Sequence, residues 1–374
     1  MNKITIIDFS HLCMRMLHIS VLETNPKVKD GLFITKEYES YFKHLIFNSI
    51  SIIKSKLGGE IVIAMDSKGN WRKDIYPDYK GQRKKVKDDS KINYKDFYGI
   101  VNDISEVMIE SFPFKVLKVD KAEADDIAGV IAQRFGNEID ITLVTSDKDW
   151  FQVMVENPKV KVYDPMKREF KKLDEFDCKI LNTKWGDISR FTLRHALKGD
   201  TGDNIKKINK DTVFSPKFLG YLKDNDCKIK EVKEFNHFEN RGMLLENFNT
   251  FKKVTSGKLK GKDSKVKDVY KDVRLMGVEK IIEDENSLET YINSHELYEE
   301  RLELNLNLVD FNRIPQYLKD NIVKDFKETK VTYNPEKIKE YFIDEGLADL
   351  ARKANSFFDS RFEIEYTTYD DFEF

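Results

Sequence analysis

The chain has 374 residues, of which 40% are hydrophobic and 35% charged, and its formal net charge is −2. This length and composition predict an ordinary globular protein with two medium-sized domains. Three cysteines without CxxC spacing exclude a disulfide framework and a zinc-finger site, and there is neither a signal peptide nor an apolar run of about 18 residues. We therefore expect a cytoplasmic protein without membrane contact, and we expect it to be a monomer.

Short β-branched runs alternate with longer helical patterns in the first half of the chain. The runs that predict strands are residues 4–7, 61–65 and 141–144, and the patterns that predict helices are residues 42–55 and 124–134. Such alternation is typical of βαβ units. It predicts an α/β domain over residues 1–186, with a twisted and mostly parallel sheet flanked by helices.

Acidic residues follow each of the three predicted strands. Asp8 follows the first strand, Asp66 follows the second, and Asp147 and Asp149 follow the third. Ligands of open α/β sheets lie outside the carboxyl ends of the strands. These side chains are therefore expected to share one crevice.

Three further acids, Glu123, Asp125 and Asp126, lie at the start of the helix predicted over residues 124–134. Taken alone they are ordinary, because acids in a first turn complement the helix dipole. Together with the strand-end acids they would crowd many like charges at one edge of the sheet, which requires a cation. Oxygen ligands select Mg²⁺ or Mn²⁺, and two such ions about 4 Å apart suit phosphodiester hydrolysis.

Aromatic and basic residues are interleaved in residues 71–85, directly after the second strand-end acid. Charge runs are usually solvated faces, but this one lies next to the predicted crevice. Lys80 and Arg83 are expected to hold the scissile phosphodiester, and Tyr79 is expected to stack on an unpaired base. The further candidate contacts to nucleic acid in this stretch are Arg72 and Lys84. Residues 84–98 are expected to form a flexible arch that substrate orders.

Helical patterns dominate from residue 187 onward, so residues 187–374 are expected to form a mainly helical domain. Its acidic segment, residues 199–205, contains Asp200 and Asp203 and reads equally well as a turn rich in Gly, Asp and Asn. The candidate phosphate contacts that follow it are Lys206 and Lys207. Residues 251–271 are rich in Lys and contain Gly, which is typical of a mobile basic loop.

An ordered set of motifs resembles the flap endonuclease and 5′ nuclease superfamily. The set comprises Ile7-Asp8, Met65-Asp66, Tyr79-Lys80-Gly81-Gln82-Arg83, Glu123-Ala124-Asp125-Asp126, Ser146-Asp147-Lys148-Asp149 and Gly199-Asp200-Thr201-Gly202-Asp203-Asn204-Ile205. The carboxyl half, with residues 306–311 and Ile314-Pro315, is similar to the closing helices of the phage ribonuclease H branch. The resemblance implies a PIN-like nuclease domain with a helical arch near residues 80–120, and then a helical DNA-binding domain with a degenerate helix-hairpin segment near residues 195–222.

The resemblance also implies ligands for two Mg²⁺ ions, with Mn²⁺ as an alternative. The ligands of the first ion correspond to Asp8, Asp66, Asp125 and Asp147, with Glu123 nearby. The ligands of the second ion correspond to Asp149, Asp200 and Asp203, and Asp126 matches a further acid of the motif. Lys206 and Lys207 stand where most relatives have a glycine-rich hairpin, which argues against the potassium ion of that hairpin.

The implied activity is that of a 5′ to 3′ nuclease, with ribonuclease H, exonuclease and flap endonuclease action, which removes RNA primers during phage DNA replication. The implied substrates are RNA·DNA and DNA duplexes with 5′ ends or flaps, in the cytoplasm of the host cell. A sliding clamp and a single-stranded-DNA-binding protein are the implied partners. The aromatic residues of the acidic tail, residues 368–374, either dock on a clamp or pack on the chain's own helical domain.

Two other functions fit part of the pattern. A catalytically inactive protein that binds duplexes or forks would keep the fold but has no reason to keep so many mutually repulsive acids. A PIN-type endoribonuclease acting on single-stranded RNA would explain the acids but neither residues 199–205 nor the helical domain. Loss of hydrolysis in Asp125→Asn and Asp147→Asn proteins that still fold would separate the nuclease from the inactive protein.

Overall fold

The computed structural model describes residues 3–24, 36–90, 92–157, 159–171, 188–208, 289, 292–293 and 296–358. The chain divides into two compact units. The first unit is Met1–Glu175 together with Asp310–Phe374, and the second unit is Phe176–Val309. Among the described residues, no helix has the length and apolar character needed to cross a membrane.

A six-stranded sheet forms the centre of the first unit. Its strands are β1 (Lys3–Asp8), β2 (Glu60–Ala64), β3 (Phe114–Leu117), β4 (Asp140–Val144), β5 (Val160–Asp164) and β6 (Glu169–Phe170). They lie in the order β3-β2-β1-β4-β5-β6. Strands β1 to β5 pair in parallel, and β6 forms an antiparallel hairpin with β5. The predicted α/β fold with a mostly parallel sheet is confirmed.

Helices cover the sheet and make up the described part of the second unit. The helices that precede and follow the strands in the first unit are α1 (Phe9–Thr24), α2 (Lys36–Leu57), α3 (Arg72–Ile75), α4 (Gln82–Asp88), α5 (Tyr94–Ser111), α6 (Ala124–Phe135) and α7 (Gln152–Glu156). The second unit contributes α8 (Ile188–Lys198) and α9 (Glu296–Val309), and the first unit resumes with α10 (Gln316–Glu328), α11 (Pro335–Asp344) and α12 (Ala348–Arg352). Helix α8 lies at the start of the region in which the sequence predicts mainly helices, from residue 187 onward.

The continuous β-branched run of β1 explains its place in the middle of the sheet. From Ile4 to Asp8 every residue is buried, as expected for a parallel strand covered by helices on both faces. The register pairs Asp8 with Ala64 of β2 and Ile7 with Val144 of β4. The carboxyl ends of these three strands therefore lie side by side.

One face of the sheet carries an aromatic core. The ring of Phe47 on α2 stacks on Phe112 with a centroid distance of 5.0 Å, and it meets Phe342 of α11 edge-on at 5.1 Å. Helix α5 adds Phe97, Ile104 and other buried side chains to the same core. Helix α5 and strand β3, within the range 80–120 where the arch is expected, contribute buried side chains to this core, and the arch itself stays a prediction.

Helix α6 packs against β1 and β2 and is covered in turn by α10. The rings of Phe135 and Phe326 lie 5.3 Å apart at this contact. Gly129 lets a neighbour approach closely, since a Cβ atom there would lie 2.6 Å from the ring of Phe311. The close fit of α6 fixes the position of its amino-terminal end, where Glu123 and Asp125 lie.

The last described helices belong to the first unit, which differs from the expected boundary of the second domain at residues 187–374. Ile338, Phe342, Leu347 and Phe357 are buried in the aromatic core of the sheet. The apolar faces of α11 and α12 thus complete a core that begins more than 200 residues earlier in the chain. The predicted DNA-binding role of the second domain stays a prediction.

Candidate metal centre

Neighbouring strands bring three of the predicted acids to one edge of the sheet. Asp8 ends β1, Asp66 follows β2 by two residues, and Asp147 follows β4 by three. Helix α6 starts at Ala124 and carries Asp125 in its first turn. Asp8, Asp66 and Asp147 come to one edge because parallel strands present their carboxyl ends there.

Hydrogen bonds hold Asp8 and the loop after β4 in place. The Oδ1 of Asp8 accepts a hydrogen bond from the His11 amide at 2.9 Å, and its Oδ2 accepts one from the Thr145 hydroxyl at 3.2 Å. The Thr145 hydroxyl accepts in turn from the Asp147 amide at 3.0 Å. Asp147 then receives the Asp149 amide on its Oδ1 at 3.0 Å. One chain of contacts therefore sets the spacing of the acids on β1 and β4.

A second set of contacts joins Asp66 to both neighbouring helices. The Asp66 amide donates to the Ser10 hydroxyl on α1 at 3.2 Å. One carboxylate oxygen of Asp66 accepts from the Ala124 amide at 2.8 Å. This bond satisfies a free N–H at the start of α6, which otherwise has no partner within the helix. Asp66 and Asp125 are thereby held close together.

The acids of this edge repel one another. Burial and the nearby charges of Asp66 and Asp147 raise the pKa of Asp8 to about 7, despite the opposing hydrogen bond from His11. Burial, together with the charges of Asp126 and Glu123, raises the pKa of Asp125 well above its ordinary value, despite the nearby guanidinium of Arg72. A site of hard oxygen ligands with unbalanced negative charge fits a divalent cation such as Mg²⁺.

Glu123 and Asp126 have different surroundings from Asp8 and Asp125. Asp126 is fully buried, and its oxygens lie 2.9 and 3.0 Å from the guanidinium of Arg72. It also accepts from the Trp71 indole at 3.1 Å and from the Glu123 amide at 2.9 Å. These contacts pair the Asp126 carboxylate with Arg72, and the metal-ligand role expected for Asp126 stays a prediction.

Glu123 is paired with two cations, Arg72 and Lys80. It accepts from Arg72 at 3.2 Å and from the Tyr79 hydroxyl at 3.0 Å, and its other oxygen is bound by the Lys80 ammonium. Burial opposes its ionisation, but the charges of Lys80 and Arg72 prevail and lower the pKa of Glu123 to about 2. Glu123 is therefore a permanent anion balanced by the protein itself.

The predicted nucleic-acid contacts in residues 71–85 differ in their exposure to solvent. Tyr79 and Arg72 are only 1% and 2% exposed, so neither presents the surface expected for base stacking or phosphate contact. Arg83 and Lys84 lie exposed on α4, as a contact to nucleic acid requires. Lys80 adopts a positive φ of 55°, and this backbone conformation directs its side chain to Glu123.

Sequence reasoning missed several residues at this edge. Ser10, His11 and Thr145 hold the acids in position through hydrogen bonds, but no sequence pattern marks them for that role. Arg15 follows His11 by one helical turn, and its Nε is buried without a hydrogen-bond partner. Asp164, at the end of β5, accepts from the Ser146 hydroxyl at 2.9 Å. Of these residues, only Asp164 could have been found from the sequence, because it is an acid at the end of a strand.

Asp200 and Asp203 lie in a closed turn of the second unit. Asp200 and Ile205 exchange backbone hydrogen bonds of 2.9 and 2.7 Å, which closes the turn after α8. Gly199 makes this possible with a φ of 65°, since a Cβ atom there would lie 2.4 Å from the Ile205 carbonyl. The Asp200 carboxylate lies 3.2 Å from Nε2 of His195. Lys206 and Lys207 follow with exposed side chains.

The remaining predicted segments are outside the described residues in whole or in part. The helix-hairpin segment expected near residues 195–222 is described only to residue 208. The basic loop at residues 251–271 and the tail at residues 368–374 lie wholly outside the described ranges. Their roles stay predictions.

Comparisons with known proteins match both halves of the chain. Residues 3–186 match the family model "5′-3′ exonuclease, N-terminal resolvase-like domain", and residues 263–357 match "T4 RNase H, C terminal". The ribonuclease H of Enterobacteria phage T4 is 25% identical over 365 residues, which is 95% of each chain. The 5′-3′ exonuclease of Mycoplasmopsis pulmonis is 28% identical over 193 residues, which is 50% of this chain and 61% of that protein.

Phage T5 provides a relative in both sequence and structure. The flap endonuclease of Escherichia phage T5 is 27% identical over 154 residues, which is 40% of this chain and 50% of that protein. The crystal structure of the T5 D15 protein with metal ions superposes with a TM-score of 0.51 at 19% identity, covering 88% of this chain and 99% of that one. The structural match shows a shared fold.

Proposed function

We propose that the chain is a member of the 5′-3′ exonuclease family, in its T4 ribonuclease H branch, and that it removes RNA primers from 5′ ends by Mg²⁺-dependent hydrolysis. It is a 5′ to 3′ nuclease that hydrolyses phosphodiester bonds in nucleic acid. The magnesium requirement, the ligand set and the role in phage replication are the parts that we propose. The convergence of Asp8, Asp66, Asp125 and Asp147 at one sheet edge is the observation that carries this proposal.

The ion-binding residues of the first unit are assigned from charge and position. Asp8, Asp66, Asp125 and Asp147 would hold the first ion, because burial and neighbouring acids raise the pKa values of Asp8, Asp66 and Asp125 despite the opposing contacts nearby. Asp149, Asp200 and Asp203 are the further ligands that we propose. When bound, two ions would generate the nucleophile from water and stabilise charge on the attacking and leaving oxygens. A variant of the phage T5 flap endonuclease was crystallised with DNA and metal ions, which supports this assignment for a chain of the same fold.

Cations around the acids would bind the substrate's phosphates. In the absence of substrate, the Lys80 ammonium is bound by Glu123. Glu123 keeps Arg72 and Tyr79 as partners when Lys80 turns toward a phosphate, so the exchange leaves no buried charge unpaired. Arg83 and Lys84 on α4, and Arg15 on α1, are the other proposed phosphate contacts. Lys80 is thus the group that we assign to the scissile phosphate.

Partners beyond nucleic acid belong to the same proposal. A sliding clamp and a single-stranded-DNA-binding protein would meet a primer-removing nuclease at the replication fork. The segments with suitable chemistry, residues 251–271 and 368–374, are basic and aromatic-acidic respectively. Deleting residues 370–374 without loss of clamp stimulation would remove the tail from consideration.

Cleavage assays test the proposed function directly. A 5′-labelled RNA·DNA duplex and a 5′-flap duplex are incubated with Mg²⁺, with EDTA, and with the Asp125→Asn protein. We expect short 5′ products that require both the metal and Asp125. The matched control is Asp344→Asn, the same change at an exposed position of α11. Hydrolysis that survives EDTA, or full activity of Asp125→Asn, would contradict the proposed mechanism.

A further inference from the structure

A buried asparagine of α9 contacts the acidic turn of the second unit from a distant part of the chain. Asn305 is 1% exposed. Its carboxamide nitrogen donates to the carbonyl of Ala196 at 2.7 Å and to the carbonyl of Lys206 at 2.8 Å. These partners precede and follow the turn that carries Asp200 and Asp203. They are 109 and 99 residues away from Asn305 in the sequence.

The Ala196 carbonyl needs a donor that its own helix does not supply. Ala196 lies in the last turn of α8, where carbonyl groups have no partner within the helix. A buried carbonyl without a hydrogen bond costs about 1–3 kcal/mol, which is reason enough for a side chain to supply one. A primary carboxamide has two N–H groups, and Asn305 uses one for each carbonyl. No other neutral side chain of this length offers two donors from one atom.

The bonds from Asn305 fix the turn at both ends. Within the turn, the exchange between Asp200 and Ile205 sets the local shape, and the Gly202 amide donates to Asp200 Oδ1 at 2.7 Å. The His195 ring, 3.2 Å from the Asp200 carboxylate, and the bond from the Ile208 amide to the Leu197 carbonyl hold the turn against α8. Asn305 adds the tie to α9, because it joins the carbonyl before the turn and the carbonyl after it to one point on that helix.

We propose that Asn305 is a positioning residue of the nuclease, which sets the divalent-cation affinity of Asp200 and Asp203 by fixing the turn that carries them. The inference rests on the proposed function, since it takes these two acids as ion ligands. Residues that orient metal ligands typically change metal affinity or activity by about 10- to 100-fold when they are replaced. The effect therefore falls on the cation requirement and not on the affinity for nucleic acid.

Two variants of equal size separate charge from hydrogen bonding. Asn305→Asp keeps the shape but turns a carboxylate toward two carbonyl oxygens, and Asn305→Leu removes the donors without adding charge. The matched control is Asn307→Asp, the same change on a partly exposed position of α9. Thermal unfolding identifies which proteins fold, and Asn305→Leu carries the test where Asn305→Asp does not fold.

Two measurements are made on the full chain. The first is Mn²⁺ binding without nucleic acid, followed by electron paramagnetic resonance, and the second is the cleavage rate as a function of Mg²⁺ concentration. We expect the Asn305 variants to bind one class of Mn²⁺ roughly 10- to 100-fold more weakly and to regain their rate at high Mg²⁺. Affinity for the duplex in EDTA is expected to equal that of the wild type and of Asn307→Asp.

Wild-type Mn²⁺ affinity and Mg²⁺ dependence in both Asn305 variants would overturn the inference. A lower rate that Mg²⁺ does not restore would also overturn it, because a general loss of structure has that effect. Asp200→Asn is measured in parallel to separate this result from a failure of the proposed function. If Asp200→Asn cleaves normally, the ligand assignment itself is wrong, whereas an inactive Asp200→Asn beside unchanged Asn305 variants refutes only the role of Asn305.

Discussion

For Lys80 we propose two competing anionic partners, the Glu123 carboxylate and the scissile phosphate of the substrate. In the structure it is bound by Glu123, and its backbone adopts a positive φ of 55° that directs it there. During hydrolysis the scissile phosphate develops charge that a fixed cation stabilises. The residue can serve both partners because Glu123 retains Arg72 and Tyr79 when Lys80 leaves.

Replacing Lys80 tests its assignment to the reacting phosphate. We expect Lys80→Ala to lower the single-turnover rate by about 10²- to 10³-fold, which is the usual effect of removing one donor to a developing charge. Substrate affinity should change much less, since other cations contact the backbone. The control is Lys73→Ala, an exposed lysine of the neighbouring helix α3. A lower affinity with an unchanged rate would assign Lys80 to binding alone.

The raised pKa of Asp8 predicts how the stability of the metal-free protein depends on pH. Its pKa is about 7 in the folded protein against an ordinary value of 3.8, so the folded state binds more protons than the unfolded state between these values. The free energy of unfolding of the metal-free protein should therefore fall as pH rises from about 4 to 7, by a few kcal/mol from this group. Asp8→Asn should lack this fall and be more stable than the wild type at pH 8 in EDTA.

Denaturant unfolding at a series of pH values checks this prediction, with Asp120→Asn as an exposed control. Addition of Mg²⁺ should stabilise the wild type and leave Asp8→Asn nearly unchanged, because the ion loses a ligand. An Asp8→Asn protein that is less stable than the wild type at pH 8 would contradict the prediction.

Strand-end acids were predictable from sequence, whereas the roles of buried polar residues were not. Asp8, Asp66 and Asp147 follow β-branched runs, and that pattern alone brings them to one edge. Tyr79 and Arg72 stand in an equally clear aromatic and basic pattern, yet both are buried against Glu123. Sequence gives charge and spacing, but the burial of a side chain depends on tertiary contacts that no local pattern encodes.

A buried ion pair joins helix α3 to the first turn of α6. Arg72 lies on α3 and Asp126 lies in the first turn of α6. Two guanidinium nitrogens of Arg72 are 2.9 and 3.0 Å from the two carboxylate oxygens of Asp126. The Arg72 guanidinium also lies over the ring of Trp71, at 4.7 Å from its centroid. The elements that carry Lys80 and Asp125 are thereby joined.

Removing one partner of this pair should be costly. We expect Arg72→Met to lower the free energy of unfolding by about 3–5 kcal/mol, because Asp126 would be left as a buried charge without its cation. The double variant Arg72→Met with Asp126→Asn should recover part of that loss, since the carboxamide oxygen still accepts from Trp71 and Glu123. Urea unfolding of the two single variants and the double variant gives the coupling energy. Additive losses would contradict the proposed pairing.

Strands that are short, or that depend on distant contacts, could not be predicted from the sequence. The strands β1, β2 and β4 were predicted from their β-branched runs, but β3 (Phe114–Leu117) was not. It has four residues and includes Lys115, whose ammonium donates to the Phe326 carbonyl on α10 at 2.8 Å. A buried lysine in a strand becomes acceptable through partners that are distant in sequence, this carbonyl and the Glu60 carboxylate on β2 at 3.5 Å, so the local sequence argues against the strand that forms.

The whole first unit depends on a segment from the end of the chain. Lys43 on α2 is 1% exposed, and its ammonium lies 2.7 Å from Asp103 on α5 and 2.9 Å from Glu345 after α11. Phe342 of α11 is fully buried beside the rings of Phe47 and Phe112. Residues 1–175 therefore lack part of their core until residues 310–358 have been added.

This dependence predicts that the matched amino-terminal region, residues 3–186, does not fold stably by itself. Truncation before residue 310 would expose the aromatic face of α2 and α5, and a domain of this size has only about 5–15 kcal/mol of total stability. Within the full chain, Phe342→Ala should cost about 3–5 kcal/mol, whereas Ile343→Ala, on the next residue and 57% exposed, should change stability by less than about 0.5 kcal/mol. Thermal and urea unfolding measure both variants. A stable and cooperative 1–186 fragment, or equal effects at positions 342 and 343, would show that the last helices only cover a core that is already complete.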